Sequence, residues 1–179
     1  VETVADEIRE TDRQINATEV EIRRALLVHA SVHGGIDTPE VLAFMNMIKD
    51  LERIGDYNKN IFDLAEEGVS FTESPELDSI LSLRDEVSSR ISLMGEILSM
   101  RDEERARTYI ERGDEMRKDF DRRVNELLHS TEEAVTAVPR ALLFRFLKRV
   151  SAHSSNVVSA VVMPVDQLDY YDESEDTRN

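Results

Sequence analysis

Glu52 and Asp56 stand four residues apart in the stretch Asp50-Leu51-Glu52-Arg53-Ile54-Gly55-Asp56-Tyr57-Asn58-Lys59-Asn60-Ile61. On a helix that spacing projects both carboxylates from one face, where two acids can share a hard cation through oxygen alone. The same spacing equally fits a solvated edge with Arg53 and Lys59 as ion-pair partners. Upstream, Asp12 and Asn16 repeat the four-residue step. If the two segments form antiparallel helices, Asp12, Asn16, Glu52 and Asp56 bring three carboxylates and one amide to a common surface. Such a donor set suits hard or borderline cations.

Other chemistries find less support. The chain has no Cys, so neither a disulfide framework nor thiolate-bound zinc is available. His29, His33, His129 and His153 are scattered; only the first two share a helical spacing, and Gly34 frays the helix there. No Gly-rich phosphate loop and no nucleophile elbow occurs, which argues against nucleotide hydrolysis and for a non-enzymatic protein. The formal charge is −16, from 22 basic and 38 acidic residues. Removing the net −5 of Val165 to Asn179 still leaves −11, which opposes binding to nucleic acid or anionic lipid. No apolar run reaches the length of a membrane span and no signal peptide opens the sequence, so a cytoplasmic location is expected.

The elements that must position these residues are helices. Ile8, Ile15 and Ile22 repeat every seven residues, with Asp12, Asn16, Glu19 and Arg23 flanking that stripe. After a break at His33-Gly34-Gly35-Ile36-Asp37, Thr38 reads as an N-cap and Pro39 as the first helical position. The second helix runs to about Glu67, with Phe44, Ile48, Leu51, Gly55, Asn58, Phe62 and Ala65 as its stripe. Gly55 is read as a small residue that lets two helices approach closely. Ser74-Pro75 opens a third helix to about Met100, and a fourth covers about Glu103 to Ser130 without a Gly or Pro to mark its start. The fifth is expected from Pro139 to about Met163, with Leu142, Leu143, Phe146, Leu147, Val150, Val157 and Val161 inward. The acidic segment beyond is expected to be disordered, with Leu168, Tyr170 and Tyr171 as a contact motif.

A weak internal repeat aligns Leu51-Glu52-Arg53-Ile54-Gly55 with Leu147-Lys148-Arg149-Val150-Ser151, and Asn60-Ile61 with Asn156-Val157. The string DLERIGDYNKNI, with its upstream helix, resembles the PhoU family, helical accessory proteins that regulate phosphate uptake and signalling. The resemblance implies an all-α fold of two antiparallel helical-bundle halves, a tandem three-helix repeat whose first helix is missing here. It divides the chain at 1–70 and 74–164, followed by a 165–179 tail. It carries metal ligation onto Glu52 and Asp56, and onto Asp12 and Asn16, with iron, zinc, nickel or magnesium as the cation. In the second half Lys148 and Ala152 replace the acids, so a cation site there would lack its ligands.

By the same resemblance the protein restrains a phosphate transporter's ATPase subunit, a sensor histidine kinase, or both. It would meet the membrane only through such partners, and a homodimer is expected. Two other readings stand beside it. One is the cytoplasmic regulatory domain of a sodium-phosphate symporter; the other is a metal-free helical interaction module unrelated to phosphate.

Overall fold

A computed structural model of the chain describes residues 2–33 and 37–168. Among them are five α-helices in the order α1 (Glu2–His33), α2 (Thr38–Glu66), α3 (Leu77–Met100), α4 (Glu103–Leu128) and α5 (Ala134–Ser159), then a 3-10 turn at Val165–Gln167. The described residues contain no strand, and the all-α expectation holds. The expected break at Gly34-Gly35-Ile36 lies outside the described residues.

α5 is the centre of the fold. α4, α2 and α3 all pack on it, whereas α1 packs on α2 and completes a hairpin at the side of the bundle. Phe144, Val157 and Val158 of α5 are fully buried, and with Ile97 and Phe120 from α3 and α4 they form the heart of the core.

Helix ends follow local chemistry. α2 stops where Gly68 takes a positive φ of 83°, a conformation free of Cβ strain only for glycine. Gly68 N–H then donates to Ala65 O at 3.1 Å and Val69 N–H to Leu64 O at 2.9 Å, a Schellman closure of the last turn. Between α3 and α4 the break is made by Arg101 in the left-handed region, φ 51°, and by Asp102, whose Oδ1 accepts from Arg105 N–H at 3.0 Å. This is how α4 begins at Glu103 with neither Gly nor Pro.

Three boundaries and several inward positions differ from the expectations. The residue before α2 is Asp37, not Thr38, and its carboxylate meets His29 Nε2 at 2.8 Å instead of capping. α3 begins at Leu77, after Ser74 Oγ has accepted Glu76 N–H at 3.2 Å. α5 starts at Ala134, which places Pro139 inside the helix. The proline removes one hydrogen bond to the carbonyl of Val135, a residue 76% exposed, so that carbonyl sits on a solvated turn.

On α2 the face turned to the core carries Ile48, Asp50 and Ile54, while Phe44 and Leu51 are exposed; Leu142 of α5 is exposed as well. The α2 stripe was displaced because α2 serves two neighbours, α1 on one side and α5 on the other, rather than a single core. The segment after Pro164 is not uniformly free of structure. The 3-10 turn packs on α2 and Leu168 is buried, whereas Tyr170, Tyr171 and the acids from Asp169 onward lie outside the described residues.

Candidate functional site at the α1–α2 seam

The sequence-predicted residues meet where α1 lies against α2. Gly55 sits at the closest approach: a Cβ there would stand 3.1 Å from Ile15 Cδ1, a tight contact that the end of the isoleucine side chain would have to relieve. With that contact setting the register, Asp12 of α1 comes opposite Lys59 of α2. Lys59 Nζ lies 3.2 and 3.3 Å from the two Asp12 oxygens and 3.5 Å from Asp56 Oδ1, so one ammonium bridges carboxylates of both helices. Hydrogen bonding to Asp12 raises the Lys59 pKa against the opposing effect of burial, with further help from the Asp12 and Asp56 charges.

The remaining acids have partners of different quality. Asp56 Oδ2 also meets Arg53 Nη1 at 3.4 Å, and Glu19 Oε1 meets Arg23 Nη2 at 2.7 Å. Glu52 is the least compensated, with Arg53 Nε at 3.8 Å. Burial pushes its pKa up, as do the neighbouring Asp56 and Glu19 charges and a hydrogen bond with Asp56, against the pull of Arg53. Asn16 is exposed, one turn along from Asp12.

Thus the fold brings Asp12, Glu52 and Asp56 to one seam and adds Glu19 and Lys59, with Asn16 at its outer edge. Among the described residues no three His, Asp or Glu side chains converge so as to hold a metal ion. In this arrangement the position between Asp12 and Asp56 does not fit a metal, because the Lys59 ammonium fills it.

The second hairpin places Lys148 Nζ 2.7 Å from both Asp121 oxygens, an ion pair across α4 and α5. His29 meets Asp37 rather than a second imidazole, and His33 stacks on it with ring centroids 4.2 Å apart.

One contact was not foreseen. His153 Nδ1 lies 2.7 Å from Asp50 Oδ1, Asn156 Nδ2 lies 3.4 Å from the same oxygen, and the Tyr57 ring stacks on the imidazole at 5.6 Å. Its signal was Asp50, an acid that falls on the inward face of α2 once Ile54 and Ile61 are taken as core. A second such case is Arg90, 5% exposed, which donates to Tyr109 O at 3.0 Å and to Ser155 Oγ at 3.3 Å beside the Tyr109 ring.

Fold and seam together define an all-helical bundle with an acid-lined hairpin at one side. The PhoU domain family model matches residues 1–65, which span α1 and all but the last residue of α2. The segment that builds the seam is thus similar to the PhoU domain, and the resemblance read from DLERIGDYNKNI is supported there. No curated protein and no solved structure matches the chain. The PhoU domain points to a phosphate-related regulatory role in a family that is not enzymatic. Among the described residues no helix is long and apolar enough to cross a membrane.

Proposed function

We propose that this chain regulates phosphate uptake and phosphate signalling by protein contact, restraining a phosphate transporter's ATPase subunit or a sensor histidine kinase when phosphate is plentiful. The observation that carries the reading is the PhoU domain at residues 1–65, coincident with the α1–α2 hairpin. The packing agrees with such a role. α1 rests on α2 alone among the helices it packs against extensively, so the hairpin stands at the side of the bundle with an outer face available to a partner. Exposed Val20, Leu27, Val28 and Val32 on α1, with Phe44 and Leu51 on α2, give that hairpin apolar surface of the kind used in protein contacts.

The test is direct binding of the purified chain to the transporter's ATPase subunit and to the sensor kinase. The reading expects saturable binding to at least one, weakened by Leu27→Glu on the exposed face of α1. Absence of binding to both would refute it.

A further inference from the structure

We infer that Lys59 is the resident cation of the α1–α2 seam: its ammonium stands where a divalent ion would bridge Asp12 to Asp56, and it keeps metal out while it is there. The inference does not depend on the phosphate reading, because it concerns only what balances the carboxylates of the hairpin.

The geometry is that of a bridging cation. A metal shared between α1 and α2 would have to take oxygen from Asp12 on one helix and Asp56 on the other. Lys59 Nζ already does so, touching both Asp12 oxygens and Asp56 Oδ1. The four-carbon stem of lysine makes this reach possible from a residue three positions after Asp56 on the same helix. A divalent ion placed among these oxygens would lie within a few ångströms of the ammonium, and like charges repel strongly at such separation even with the screening of a protein surface.

The charge balance around the seam points the same way. Glu19 is held by Arg23 and Asp56 also meets Arg53. The other hairpin closes in the same manner, with Lys148 on both oxygens of Asp121. These two hairpins, α1–α2 and α4–α5, are thus each pinned by one lysine set against an aspartate of the neighbouring helix. In the first hairpin the pin also covers an oxygen of Asp56, one of the residues expected to bind metal.

The consequence is specific: deleting the ammonium should create a metal site. Lys59→Met keeps most of the stem and removes the charge. Calorimetric titration of the chelator-stripped protein with Mn²⁺, an oxygen-seeking ion, should show one site per chain in this variant, at least about tenfold tighter than in the unmodified protein. Lys59→Arg should behave as the unmodified protein. Adding Asp12→Asn and Asp56→Asn to Lys59→Met should abolish the site. Circular dichroism of each variant checks that the helices persist, and Lys59→Gln makes the same comparison if Lys59→Met does not fold. Stoichiometric Mn²⁺ bound as tightly by the unmodified protein as by the variant would overturn the inference. So would a folded variant that gains no site.

Discussion

His153 Nδ1 and Asp50 Oδ1, 2.7 Å apart, link α5 to α2 and so tie the hairpin that carries the seam to the centre of the bundle. Asp50 is only 8% exposed, and the same oxygen receives Asn156 Nδ2. A buried carboxylate of this kind is maintained by its donors, and its donors are satisfied by it.

Asp50→Ala therefore leaves His153 and Asn156 without their acceptor inside the α2–α5 contact. Asn156 Oδ1 is itself buried without a partner, so losing the Nδ2 bond adds to an amide that is already under-satisfied. The expected loss is about 2 kcal/mol of stability, read by urea denaturation. A midpoint unchanged from the unmodified protein would show that this contact contributes nothing.

How much of this was legible in the sequence depends on whether a feature is local. Gly68 ended α2, and the four-residue step put Glu52 and Asp56 on one side of α2, which the structure brings near Asp12 of α1, whereas Asn16 is exposed. The start of α4 was hard to fix because Arg101 breaks the chain in a conformation that nothing in its side chain announces. Pro139 was read as a helix start, a position it favours, yet α5 runs through it. The Lys59–Asp12 contact spans 47 positions and the His153–Asp50 contact 103, so each depends on interhelical register. Spacing within one helix cannot supply that.

Three glycines give a graded test of that register. Gly95 has nothing within 4 Å of an added Cβ, so Gly95→Ala should stabilise by about 0.5–1 kcal/mol through helix propensity alone. At Gly113 an added Cβ would lie 2.3 Å from Ser155 Oγ and 2.8 Å from Arg90 Nη2. Gly113→Ala must push apart the donor and acceptor of a buried hydrogen bond, and should cost about 1–3 kcal/mol despite the better propensity. Gly55→Ala falls between, because the flexible end of Ile15 can give way, and its effect should stay within about 1 kcal/mol of zero. Thermal melts of the three variants read the order; equal shifts at Gly95 and Gly113 would contradict the α3–α4–α5 packing.

Asp119 supplies a pH signature on α4. Burial pushes its pKa up, but hydrogen bonds from Arg123 and Arg122, together with their charges, hold it below the usual 3.8. A carboxyl lowered in the folded state stabilises above the unfolded value, and that stability is lost as pH falls through the folded one. Asp119→Asn should thus destabilise the protein at pH 7 by an amount that shrinks toward zero as the solution is taken below the usual carboxylate range. Because the group is partly exposed, added salt should shrink the pH 7 difference as well. Melting curves of both proteins across acid pH make the comparison. A difference that persisted unchanged into strong acid would show that Asp119 acts by packing rather than by charge.

The most direct test of the central claim is uptake of radiolabelled phosphate by the native host with and without this chain, in medium replete with phosphate. Regulation by restraint predicts that uptake rises when the chain is deleted and returns when it is restored, and that Leu27→Glu restores it less well. Uptake that is the same in the deleted and intact strains would contradict the account.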